Sequence, residues 1–197
     1  INLRGASVLE ACIWVPRYRC PSLVHVVATA VAPPFSQTLL ASWRDLHLHP
    51  NLFEEQDMDT SPHDIVYFRT NKISPPKIKV LYGRPKKNGR EIFGNVIPYG
   101  KIWRVGANEA TEVIFYNDVV FGETEVKAGT YVLYAIPDQD EWTLILSSNT
   151  DVWGTYEYEE KYDVARTNAK VSKAEFLEAF SIGFKDKGKH VNMVLAW

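Results

Sequence analysis

The chain has 197 residues, of which 46% are hydrophobic, 13% aromatic and 23% charged, with a formal net charge of −2. That supports one packed domain plus a surplus, and is too little chain for two domains of ordinary size. The near-neutral balance excludes a general electrostatic attraction to nucleic acid or to an anionic membrane surface; two cysteines exclude a disulfide framework, and no run reaches the roughly 18 apolar residues of a transmembrane helix.

The surplus belongs to the N-terminus. All thirteen lysines stand at Lys72 or beyond it, whereas both cysteines (Cys12, Cys20) and four of the five histidines (His25, His47, His49, His63) precede it. Residues 1–50 carry six charged side chains and show neither sustained alternation nor a helical period. We read residues 1–57 as an atypical extension and 58–197 as the domain proper. Three origins fit the extension. It is a degraded export signal, since Leu23 to Ala32 is a short apolar run after Arg17 and Arg19 that closes on Ala30-Val31-Ala32; or translation that began upstream of Met58; or a divergent extension. From Met58 onward, 13 lysines and 5 arginines oppose 19 acids, a balance of −1.

The strands follow from alternation and turn residues. Lys77-Ile78-Lys79-Val80-Leu81-Tyr82 alternates and is stopped by Gly83-Arg84-Pro85. Lys86 to Arg90 reads as a solvated turn. Glu112 to Tyr116 is β-branched and aromatic, Asn117-Asp118 punctuates it, and Val119 to Phe121 and Glu123 to Val126 follow around Gly122. Thr130 to Ile136 and Glu141 to Leu146, joined through Pro137-Asp138-Gln139-Asp140, form the clearest hairpin. Further strands are expected at Ala165 to Val171, Ala179 to Phe184 and Val191 to Trp197, with a helical turn at Lys173 to Leu177. The pattern predicts an all-β fold, an antiparallel, jelly-roll-like β-sandwich of eight or nine strands. Its last residues, Asn192 to Trp197, end inside an apolar strand, so a final strand is expected to be lacking.

Two segments are chemically denser than scaffolding requires. Lys101 to Thr111 crowds Trp103, Arg104, Asn108 and Glu109 around Gly106-Ala107. Trp153 to Glu160 interleaves Trp153, Tyr156 and Tyr158 with carboxylates, followed by Asp163 and Arg166. Aromatic rings beside carboxylates and amides suit stacking on a sugar or another flat ligand with hydrogen bonds to its rim. Each residue also has a structural reading: Trp103 and Trp153 as packing anchors, Arg104–Glu109 and Arg166–Asp163 as ion pairs, Asn108 as a turn former, and Tyr156 with Tyr158 as one covering face of the sheet. Only His63 and His190 accompany this region, with no cysteine, and neither a phosphate loop nor a dinucleotide fingerprint occurs, so no metal and no cofactor is expected.

Tyr82-Gly83-Arg84-Pro85, Gly89-Arg90-Glu91-Ile92-Phe93-Gly94, Pro98 to Thr111 with its Trp-Arg-x-Gly-Ala-Asn-Glu-Ala-Thr stretch, Ala128-Gly129-Thr130-Tyr131 and Trp153-Gly154-Thr155-Tyr156 occur in this order. Together they resemble the bacterial domain-of-unknown-function family numbered 2911 from about Ser61 to Trp197. The family usually has serine in place of Gly83 and threonine in place of Val105. The resemblance implies an exported protein, periplasmic or secreted, and continuation beyond Trp197; it implies no reaction, cofactor or catalytic residue. The expected function is noncatalytic binding of a small molecule, glycan or envelope partner through Trp103, Arg104, Asn108, Glu109, Trp153, Tyr156 and Arg166. The alternatives are a hydrolase that pairs Glu109 with Glu157, Glu159 or Asp163, and an interaction module whose motif only locks a loop.

Overall fold

The computed structural model describes residues 59–197 in full and residues 6–14 as backbone; Leu23 to Ala32, Cys20 and Met58 lie outside the described residues. The strands are β1 (Ala6–Trp14), β2 (His63–Phe68), β3 (Ile78–Gly83), β4 (Thr111–Phe115), β5 (Val119–Phe121), β6 (Thr124–Val126), β7 (Gly129–Ile136), β8 (Glu141–Ser147), β9 (Asp163–Ala174), β10 (Ser181–Asp186) and β11 (Val191–Ala196). All their pairings are antiparallel. The fold is therefore the expected all-β antiparallel sandwich. Within 59–197 the strand that alternation did not predict is β2.

One sheet runs β2-β3-β4-β7-β8-β9, and the other runs β9-β1-β11-β10 with the β5-β6 hairpin attached to β1. β9 belongs to both. It pairs with β8 through Lys170 and with β1 from Val171 to Ala174. This corrects the helical turn expected at Lys173 to Leu177: Lys173 and Ala174 continue the strand, and among the described residues the only helical turn is 3-10, at Glu160–Tyr162. Helix-forming side chains lose to the main-chain ladder that β1 offers.

The period-2 pattern places the core. Ile78, Val80 and Tyr82 of β3, Val113 and Phe115 of β4, Trp142, Leu144 and Leu146 of β8, and Val191, Met193 and Leu195 of β11 all face the space between the sheets and are buried. β7 departs from simple alternation because Val132, Leu133, Tyr134 and Ala135 are all buried. Leu133 and Ala135 face the inner core. Val132 and Tyr134 face outward with Ile145, where Ala110 and Val152 cover them in a second apolar cluster against which Ile102, Ile136 and Tyr158 pack. Ile102 and Ala110 of one connection and Val152 and Tyr158 of another thus form an outer layer over the first sheet.

Tyr134 has a testable consequence. Burial first, then the charges of Glu157, Tyr158 and Asp163, push its phenol up to about 12. An unfolded tyrosine ionises near pH 10, so between these values the unfolded chain gives up a proton that the folded chain keeps. The stabilising contribution is complete below pH 10 and is lost as pH rises toward 12, by about 1.4 kcal/mol per pH unit for one proton. Tyr134→Phe is expected to flatten this alkaline decline, measured by urea unfolding between pH 9 and 12.

Candidate functional site

Trp103 and Arg104 divide the two sides of the first sheet. The Trp103 main chain pairs with Ala135 in both directions, N–H to O at 2.7 Å and the reciprocal bond at 2.9 Å. This sends the indole inward, where it is 8% exposed. It stacks on Trp197 at 6.2 Å and 16°, and meets Trp142, Phe180 and Phe93 edge-on at 5.8, 5.4 and 6.2 Å. Trp103 is a core anchor and is withdrawn from the surface on which a ligand could rest. The partly buried Arg104 follows it, its Nε enclosed with no hydrogen-bond partner among the described residues. Gly154 lies against the guanidinium: a Cβ there would be 3.4 Å from Arg104 Nη1 and 3.5 Å from the Tyr156 ring.

The turn that follows is backbone-strained. Val105 at φ 57° and Asn108 at φ 62° both occupy the left-handed region, which asparagine enters more readily than other side chains and which is an outlier for a β-branched residue. Val105 is fully buried, and its carbonyl accepts a 2.7 Å hydrogen bond from the Thr111 hydroxyl, itself fully buried. The Thr111 N–H donates to Arg104 O at 3.1 Å and closes the turn. Gly83 and Gly106 make this possible: a Cβ on Gly83 would overlap the Ala107 carbonyl oxygen and approach its carbon to 2.9 Å, and a Cβ on Gly106 would come within 2.9 Å of Gly83 O.

This turn delivers Asn108 and Glu109 to the loop that carries Trp153. Glu109 bridges Trp153 main chain to main chain, and the Ala110 N–H donates to Val152 O at 3.3 Å. The expected Arg104–Glu109 ion pair does not form; Glu109 Oε2 lies instead 2.9 Å from His63 Nε2. Asn108 is the turn former expected from its residue type, but its Nδ2 donates to Asp59 Oδ2 at 3.1 Å and not to its own backbone. His63 and Asp59 are the participants that sequence reasoning missed. They lie 46 and 49 positions before their partners, on and just before β2, the strand that alternation did not predict.

Two rings remain outside. Trp153 is 53% and Tyr156 85% exposed, on a loop whose Asp151 and Gly154 take φ of 58° and 63°. Before and after them the chain is pinned: Val152 is buried in the outer cluster, and Tyr158 packs edge-on against Tyr134 at 5.1 Å. Tyr156 and Tyr158 therefore do not share one face, as an extended reading of this segment predicted, because the chain turns between them. Arg166 belongs to a different set of partners. It makes the expected pair with Asp163, Nε and Nη2 at 2.8 and 2.6 Å from Oδ2, and reaches Glu160 at 2.9 Å and the Tyr158 hydroxyl at 3.1 Å. The Tyr158 hydroxyl donates to Asp163 at 3.0 Å; burial, and then this hydrogen bond, push the phenol above its ordinary range. Arg166 thus fastens the end of the Trp153 loop to β9.

Concavities of about 370 and 540 Å³ are lined by Gly100 with Ile136 to Glu141 and Thr143, and by Val66 to Arg69 with Asn71, Lys72, Phe184 and Asp186; neither takes in Arg104, Asn108, Glu109, Trp153 or Tyr156. Among the described residues no group of three or more His, Cys, Asp or Glu is placed to hold a metal ion, and no helix is long and apolar enough to cross a membrane. Three of the four carboxylates considered for a two-acid mechanism have separate partners: Glu109 the His63 imidazole, Glu159 Lys161 at 2.6 Å, and Asp163 Arg166. A family model described as "Protein of unknown function (DUF2911)" matches residues 61–197. No curated protein and no solved structure matches the chain.

Proposed function

This chain belongs to the DUF2911 family of proteins of unknown function, and from that premise we propose that its domain is a noncatalytic glycan-binding module that works through the Trp153–Tyr156 face. The observation that carries the reading is the pair of exposed rings, 53% and 85% open, on a loop whose neighbouring residues are buried or hydrogen-bonded. Large rings left outside a packed core cost nothing to bring to a ligand, and a sugar presents apolar C–H faces to stack on them. The polar groups of Asn108, Glu109, His63 and Arg104 lie alongside to take its hydroxyls. Two exposed rings on one loop suit an extended oligosaccharide that stacks on them, whereas an enclosed small molecule calls for a concave pocket. The family resemblance supports an exported setting, periplasmic or secreted, in which envelope glycans are the ligands at hand. Separate partners on Glu109, Glu159 and Asp163 support binding without bond cleavage.

A glycan microarray probed with the labelled protein tests this reading. The wild-type chain is expected to retain a defined set of oligosaccharides. Trp153→Ala and Tyr156→Ala are each expected to weaken that binding about tenfold or more, which corresponds to about 1.4 kcal/mol. Both substitutions remove exposed side chains and should change unfolding free energy by less than about 0.5 kcal/mol. Retention of nothing across the array, or full retention by the Trp153→Ala, Tyr156→Ala double variant, would rule the face out.

A further inference from the structure

The second sheet takes its central strand from outside the region that the family model matches, 61–197. β1 lies between β9 and β11. Val8 to Ile13 stand opposite Ala196 to Val191 of β11, Ala6 to Leu9 opposite Ala174 to Val171 of β9, and Ile13 and Trp14 opposite Phe121 and Val120 of β5. Val8, Leu9 and Ile13 each have strand partners on both sides. The end of β9, the β10-β11 hairpin and the β5-β6 hairpin are therefore joined into one sheet through β1.

The register fits the side-chain pattern of the segment. Leu9, Ala11 and Ile13 stand in register with the buried Leu195, Met193 and Val191, and Val8, Glu10 and Cys12 with the partly exposed Ala196, Val194 and Asn192. The single charge of the strand, Glu10, falls on the outer row. A shift by one residue would put it in the buried row, so this register is the one the sequence specifies. The alternation escaped sequence reading because Val8 and Cys12, on the outer row, are also apolar. Without an occupant, β11 along its whole length and β9 from Val171 to Ala174 would present unpaired N–H and C=O groups beside a buried apolar row.

We propose that the gap between β9 and β11 is a strand-acceptor site of the domain, and that Ala6–Trp14 is a detachable donor strand. It is held by the two main-chain ladders, with Leu9, Ala11 and Ile13 in register with the buried row of β11, and it binds without covalent continuity through residues 15–58. The ligand this gap accepts is an extended segment with apolar residues on one row, and its occupant in this protein is residues 6–14 of the same chain.

Two measurements on the full chain test the proposal. Cys12 stands opposite Asn192, and facing residues of antiparallel strands have Cα separations of about 4.5 to 5.5 Å, within disulfide reach. In a Cys20→Ser chain, Asn192→Cys is expected to give an intramolecular disulfide under mild oxidation. Met193→Cys, which faces Ala11 from the other row, is expected not to cross-link to Cys12. No cross-link in the Asn192→Cys chain would overturn the register, and a cross-link confined to disulfide-bonded dimers would overturn the intramolecular seating by assigning the donor to a second copy. For detachability, a site-specific protease sequence is inserted between residues 17 and 59 and cut. The N-terminal fragment is expected to co-elute with the domain until an excess of fluorescent Ala6–Trp14 peptide replaces it, while the Leu9→Pro peptide, which lacks an N–H in the ladder, does not. Equal replacement by the Leu9→Pro peptide, or no replacement after days of exchange, would overturn the proposal.

Discussion

Trp103→Ala is expected to lower the unfolding free energy by about 3–5 kcal/mol, the cost of removing a large aromatic from a packed core that cannot close over the space. The indole is 8% exposed and has ring contacts with Phe93, Trp142, Phe180 and Trp197, so its loss removes partners from four other aromatics at once. Chemical denaturation measures the effect. The contrast with Trp153→Ala is the informative part: the same substitution in a residue 53% exposed should be nearly neutral to stability and costly to binding. Equal destabilisation by the two variants would contradict the division between core and face.

Gly83→Ala is expected to cost about 3 kcal/mol, the upper end of ordinary overpacking, because the atoms it meets are backbone and cannot swing away. The added Cβ overlaps the Ala107 carbonyl oxygen, and Gly106 leans on the Gly83 carbonyl from the other side. Relief requires the 105–108 turn to lift, which carries Asn108 away from Asp59 and Glu109 away from His63. Loss of stability should therefore come with loss of glycan retention even though residue 83 does not belong to the face. Denaturation together with the glycan array measures both; a Gly83→Ala protein as stable as wild type would show that the turn is not seated on this glycine.

Most of the fold was legible because alternation and turn residues agree. β3 puts apolar side chains at every second position and ends on Gly83-Arg84-Pro85, and β7 and β8, both rich in apolar and aromatic residues, are joined through the polar turn Pro137 to Asp140. β2 was not legible. Ile65 and Tyr67 are apolar yet 46% and 43% exposed, so its two faces look alike in sequence. β1 was obscured in the same way, by Val8 and Cys12 on its outer row. The end of β9 read as helical because Lys173, Ala174, Glu175 and Leu177 favour a helix, and the ladder that overrides them comes from a strand about 160 residues away in the chain.

The candidate site was legible as residue types and not as geometry. Composition identified Trp103 and Trp153 equally, and only the pairing of Trp103 with Ala135 decides which indole points inward. Arg104 with Glu109 was the natural pairing by proximity in sequence, but the turn between them carries Glu109 across to Trp153 and His63. Arg166 with Asp163, three residues apart and opposite in charge, was readable because β9 keeps the two within reach without any distant element.

The central claim, that one tryptophan of this pair serves the core and the other a ligand, is tested most directly by the indole N–H signals of ¹⁵N-labelled protein titrated with an oligosaccharide retained on the array. The account predicts that the Trp153 signal shifts with saturating dependence on sugar concentration while those of Trp103, Trp142 and Trp197 stay fixed. Shifts at Trp103 with Trp153 unmoved would contradict it.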